Sequence, residues 1–304
     1  MDTSYLSILS FLLITWAYYY VASVGKIQLE MRVNEVDKTI PPVVIGKGGL
    51  YETYEAYNSA NMGSALIFLL MVVLTQLGLN IYSVIDKCGG SVGKNIGVSL
   101  LLTVVPWTII LGGVIGLLMA YPGLKSAFAD VIGYYIVSTE ANDIIGTIIT
   151  ESKVDEEIEK VKNSNESHEM KRAAEAVMKM CGNKGVLVNS MNPSNFEQMW
   201  KVLTPLMVKE VDLKTSPNNK DNKILNDYKS DLFNLVVKKD NIGEGMWYIY
   251  TGLLVTSIVS YNLATRTCSK DSSKTEADHE EYLKTVEELD KEKELNQSGE
   301  PYSA

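Results

Sequence analysis

Two histidines, three cysteines and a short acidic run are where this chain could do chemistry, and none has the spacing for it. His168 and His279 lie in strongly polar sequence, where an imidazole is solvated and has no neighbour to tune it as a base or ligand. Ser190 and Ser194 have no nearby histidine to activate them. Asp155, Glu156, Glu157 and Glu159 fall on a solvated helix face, whereas acid/base work needs a partly buried pair with displaced pKa values. Cys88, Cys181 and Cys268 form no Cys-x-x-Cys pair, no Cys/His spacing for zinc, and are too few for a disulfide framework. Gly46-Lys47-Gly48-Gly49 lacks the full phosphate-loop pattern. The expectation is a protein that is not an enzyme and has no cofactor and no metal.

The elements that position these residues are set by hydropathy. The 304 residues are 46% apolar with mean hydropathy +0.02, values that a soluble two-domain protein would also show. That average hides four stretches without Asp, Glu, Lys or Arg, at 5–24, 62–85, 96–120 and 246–264. A hydrocarbon core of about 30 Å needs ~20 apolar helical residues, so each stretch is long enough to span it. The expected fold is all-α: an integral membrane four-helix bundle with a helical extramembrane domain between spans 3 and 4 and a disordered acidic tail. Its parts are a signal anchor at 1–25, an extramembrane loop at 26–60, a helical hairpin at 61–121, the helical domain at 122–245, a fourth span at 246–265 and the tail at 266–304. No Lys or Arg precedes the first span and Trp16, Tyr18, Tyr19 and Tyr20 end it, which reads as an uncleaved anchor, although Val21-Ala22-Ser23 would pass as a cleavage site.

The polar residues inside the spans are neutral. Gln76 and Asn80, four apart, share a helix face and suit interhelical hydrogen bonds, as do Thr75, Thr103, Ser257 and Ser260. Gly112 and Gly116 have the Gly-x-x-x-Gly spacing that lets a backbone approach closely, within the chain or between copies. Pro106 should kink the third span. Ion pumps and proton-coupled carriers, which need ionisable groups at membrane depth, are not expected. Cys88 and Cys268 flank spans on one face and are candidate palmitoylation sites, with plain small apolar residues as the alternative.

An even number of spans puts the N-terminus, the 86–95 turn and the tail on one face, and 26–60 with 121–245 on the other. Five Lys or Arg near the span ends against seven leave the orientation undecided. Sequons at Asn165 and Asn296 fall on opposite faces. In 26–60, Pro41-Pro42 before Val43-Val44-Ile45 suggests a short strand or extended arm. In the long segment, Phe128, Val131, Ile132 and Tyr135, then Ile144, Ile145, Ile148 and Ile149, recur at helical spacing. This helix either lies in the membrane interface or caps the bundle, capping being the ordinary outcome. Further helices are expected around 151–180, 196–208 and 221–239, with a loop at 214–223. Of the net charge of −9, the tail from residue 269 supplies −6, so nucleic-acid binding is not expected. Leu283, Val286 and Leu289 form its only apolar stripe, suited to partner contact and too thin for an isolated helix.

The run Tyr121-Pro122-Gly123-Leu124-Lys125-Ser126-Ala127-Phe128-Ala129-Asp130-Val131-Ile132-Gly133-Tyr134-Tyr135, with Asp86-Lys87-Cys88-Gly89-Gly90, resembles multi-span membrane proteins of the nucleocytoplasmic large DNA viruses. Frequent Asn and Lys, as in Asn218-Asn219-Lys220-Asp221-Asn222-Lys223, would suit an AT-rich genome of that kind. The likeness covers about residues 50–150 and brings no assigned active residues. It implies a minor capsid-associated component of the membrane beneath an icosahedral capsid. The expected function is therefore a structural, multi-pass anchor joining a membrane to a capsid or scaffold protein. The alternative is a small oligomeric channel whose pore is lined by the Gln76 and Asn80 face.

Overall fold

A computed structural model describes residues 3–20, 50–88, 92–149, 151–163, 183–208, 224–266 and 272–297. Among these the chain is helical, with one isolated antiparallel bridge between Ile149 and Met207. The helices are α1 (Thr3–Tyr20), α2 (Leu50–Cys88), α3 (Val92–Pro106), α4 (Gly112–Ala120), α5 (Ser126–Phe128), α6 (Tyr134–Ile148), α7 (Glu151–Lys162), α8 (Lys184–Ser190), α9 (Phe196–Leu203), α10 (Leu225–Thr265) and α11 (Ser272–Gln297). Wide π turns at Trp107–Leu111 and Ala129–Gly133 join α3 to α4 and α5 to α6. Pro106 therefore opens a wide turn and does not end the helix, which carries on into α4.

Two apolar cores form. In the first, α1, α2, α3–α4 and the second half of α10 pack Phe11, Phe68, Val72, Trp107, Leu111, Tyr248 and Val255 between them. The ring of Phe11 lies where a Cβ on Gly252 would fall, so that glycine is what seats it. The outer face of this bundle is apolar too, with Leu13, Ile67, Leu70, Leu101 and Ile109 exposed. Helical stretches at 54–88 and 95–120 are long and apolar enough to cross a membrane. The second core joins α6, α7, α8, α9 and the first half of α10 around Val137, Ile145, Leu187, Phe196, Phe233 and Val236. The Ile149–Met207 bridge, extended by the Val208 N–H donating to Ile148 O at 2.9 Å, ties the end of α6 to the end of α9.

Three expected boundaries move. α2 starts at Leu50, inside the expected 26–60 loop, and its first turns give Leu50 and Tyr54 to the second core. The helix expected at 221–239 and the span expected from 246 are one 41-residue helix, α10. The Asp227 carboxylate starts it by accepting the Ile224 N–H at 3.0 Å. The expected tail disorder is corrected over Ser272–Gln297, which is helical. Strong helix formers, Glu, Lys and Leu, fill that segment, and local propensity needs no buried face. Leu283 and Leu289 remain exposed and Val286 half-exposed on α11. Truncation after Lys270 is expected to change stability in detergent by less than about 0.5 kcal/mol, measured by thermal unfolding. The 43–45 arm, the Asn165 sequon, the 214–223 loop and His168 lie outside the described residues.

Candidate functional site

Where the bundle meets the domain, the chain leaves α4 through Pro122–Lys125 and crosses α10 almost backbone to backbone. A Cβ on Gly243 would fall 2.6 Å from Lys125 O and 2.7 Å from Ala129 Cβ, and one on Gly133 would fall 2.6 Å from Lys239 O. Lys125, Ala129, Gly133, Val137 and Ala141 are all buried. A spacing of four drifts around an ordinary helix of 3.6 residues per turn. The π turn at Ala129–Gly133 absorbs that drift and keeps one face on α10.

This crossing buries an ionic cluster. Lys125 Nζ reaches Glu244 Oε2 at 2.8 Å and Asp240 Oδ2 at 3.2 Å, all three side chains being less than a tenth exposed. The two carboxylates stand four apart on α10, one turn of helix, so a single ammonium bridges them. Tyr54 of α2 donates its hydroxyl to Asp240 at 2.8 Å, and Tyr19 of α1 donates to Glu244 at 3.1 Å. Every helix that reaches this end of the bundle thus contributes a side chain or sits beside one. Next to it Lys239 donates to Asp130 at 2.8 Å, Asn189 O at 3.0 Å and Val188 O at 3.2 Å, so all three ammonium protons are used. Burial pulls the Lys125 ammonium down, but Glu244 and Asp240 outweigh it and hold it well above the ordinary lysine range. Lys125 therefore offers no lone pair, and the cluster joins parts of the structure. Lys239→Met should leave Asn189 O without this donor and Asp130 without its cation, Val188 O keeping the Met191 N–H, at a cost of about 1 kcal/mol in thermal unfolding.

A cavity of about 880 Å3 opens beside the cluster. Glu52, Glu55, Ser59 and Met62 of α2 line one wall, Met119, Pro122 and Ser126 another, Asn192–Ser194 a third, and Lys239 and Asp240 the base. Its carboxylates and hydroxyls surround no histidine or cysteine. Among the described residues no group of three His, Cys, Asp or Glu could hold a metal ion.

The residues singled out from the sequence sit elsewhere. Gln76 is buried, donating to Ser7 O at 2.9 Å and Ser10 Oγ at 3.2 Å of α1 and accepting from Ser7 Oγ. Asn80 donates to Thr103 Oγ1 of α3 at 3.0 Å. Gly112 faces α2, where a Cβ would stand 3.2 Å from Leu69 Cδ2, but Gly116 meets nothing within 4 Å among the described residues. Cys88 is disulfide-bonded, which consumes the thiol that palmitoylation would need; Cys268 lies outside the described residues. No family model, curated protein or solved structure matches this chain. The buried cluster escaped the sequence reading because Lys239, Asp240 and Glu244 stand in a hydrophilic run that normally faces water, and Lys125 just outside a charge-free stretch.

Proposed function

We propose that this protein is a structural integral membrane protein that anchors a membrane to a protein shell or scaffold, with α1, α2, α3–α4 and the second half of α10 as four spans. The observation that carries the reading is α10. At 1.5 Å per residue its 41 residues reach about 60 Å, roughly twice a hydrocarbon core, and they belong to both apolar cores. Force applied to the helical domain passes straight into the bundle, and the Lys125 cluster resists rotation where the two meet. The resemblance to membrane proteins of large DNA viruses supports a place beneath an icosahedral capsid, with a capsid protein as the partner.

Two measurements test this. Cysteines introduced at positions 55, exposed near the start of α2, and 215 should be labelled from the same side of sealed vesicles, opposite the tail; labelling from opposite sides removes the four-span arrangement. Crosslinking in the native particle should then recover a shell protein through the 122–245 domain. For a channel, Gln76 and Asn80 would have to leave their bonds to α1 and α3 to line a pore. Liposomes carrying the protein should accordingly be silent to ions, and a leak abolished by Gln76→Leu with Asn80→Leu would replace the anchor with the channel.

A further inference from the structure

The helix that follows α4 has a second face that nothing among the described residues covers. Opposite the buried row of Lys125, Ala129, Gly133 and Val137 stand Tyr121, Leu124, Val131 and Tyr135, all exposed, with Val131 66% and Tyr135 82% accessible. Over residues 121–139 the charged side chains are Lys125 and Asp130, and both are ion-paired. A surface helix of a water-soluble domain carries its charges on such a face. Here Lys125 turns inward and Tyr121, Leu124, Val131 and Tyr135 turn outward.

The position of this face says what covers it. Phe128, half-buried at its middle, packs its ring edge-on against Trp247 at 5.2 Å and lies 6.2 Å from Tyr250. The Trp247 indole N–H donates to Leu124 O at 2.9 Å. Trp247 and Tyr250 open the apolar half of α10, where amphipathic rings occupy the headgroup level of a bilayer. The stripe is thus continuous with the outward apolar surface formed by Leu117, Tyr250 and Leu254. We infer that the outward face of residues 121–135 lies against the membrane, with Tyr121, Leu124, Val131 and Tyr135 seated in the headgroup and acyl boundary of the lipid surface. This rests on the membrane reading of the bundle. The occupant is a lipid surface and not a shell protein, because the stripe runs into lipid-facing side chains without a polar break. No unpaired cation lines it, so zwitterionic lipid suffices and anionic headgroups add nothing. The segment thereby holds the crossing of α10 at a set depth in the bilayer.

The test reconstitutes the full chain into phosphatidylcholine vesicles doped with a phosphatidylcholine bearing a diazirine near the glycerol end of one acyl chain. After irradiation, adducts are mapped by mass spectrometry. Adducts at Val131 and Tyr135, alongside adducts on Leu66–Leu74 and Leu253–Leu254, are the expected result, unchanged when phosphatidylserine is added. Val131→Glu with Tyr135→Glu should lower adducts in 121–135 about ten-fold while leaving those on α2 unchanged, since charge at a stripe abolishes interfacial burial. Both side chains are exposed, so unfolding in detergent should not move. Labelled spans with an unlabelled 121–135 overturn the inference and leave the membrane reading standing, as does labelling insensitive to the double substitution. A chain without adducts anywhere removes the membrane reading, and this inference falls with it.

Discussion

Lys125→Met is expected to destabilise the protein by about 3–5 kcal/mol, the loss typical of removing one partner from a buried ion pair. The Coulomb attraction lost is only part of this. Asp240 and Glu244 would remain buried on the same face of α10 with no cation between them, Tyr54 still donating to Asp240 and Tyr19 to Glu244. Thermal unfolding in a mild detergent checks the prediction, and the triple variant Lys125→Met, Asp240→Asn, Glu244→Gln should recover most of the loss because it buries no unpaired charge. A triple variant as unstable as the single one would show that packing of the lysine stem, not its charge, matters. The pH dependence follows from the raised lysine value. A group whose folded value exceeds its unfolded value of about 10.4 contributes its full stability below that pH and loses it as pH rises through the folded value. The stability gap between wild type and triple variant should therefore gain no slope from Lys125 at neutral pH and close only on alkaline titration.

Gly243→Val should cost about 3 kcal/mol or more, at the upper end of overpacking effects. The obstacle is backbone: Lys125 O at 2.6 Å, Ala129 N at 2.8 Å and the short Ala129 Cβ at 2.7 Å from the added carbon. None of these is the far end of a flexible side chain, so relief requires the two helices to separate, which also breaks the Lys125 contacts one turn away. Gly243→Ala should already destabilise, although the same change in an exposed helix interior gains about 1 kcal/mol from propensity. Gly116→Ala, exposed in α4 with nothing within 4 Å, is the control expected to gain up to about 1 kcal/mol from propensity. If Gly243→Ala and Gly116→Ala behave alike, the close crossing does not exist in solution.

Much of the architecture is legible without coordinates, for identifiable reasons. Stretches with no charged residue over about twenty positions can hardly be anything but buried or lipid-facing helix, and the 62–85 and 96–120 stretches lie within the helical regions long enough to cross a membrane. The positions of Ile144, Ile145 and Ile148 follow from the helical period, which puts them on one buried face. Ending the helix at residue 239 failed for a physical reason. Lys238-Lys239-Asp240-Asn241-Ile242-Gly243-Glu244-Gly245 combines charge with two glycines, the usual signature of a helix end, and α10 runs through it unbroken. Gly243 is there for the close approach of Lys125 and Ala129, and the charges find partners 115 residues away in sequence, as Asp240 does in Lys125.

By itself the sequence determined the helical class and the apolar segments, because both depend on residue type and period within a short window. The tertiary structure alone decided which hydrophilic residues leave water. Lys239, Asp240 and Glu244 are indistinguishable in sequence from the half-buried Lys238 beside them, and with Lys125 they are buried because other segments pack over them and carry the opposite charge. The same holds in reverse for Val131 and Tyr135, which share an apolar pattern with Ile132 yet face outward. Burial of a charge is tolerated only where a partner from elsewhere in the chain meets it, and that meeting is a property of the packed chain.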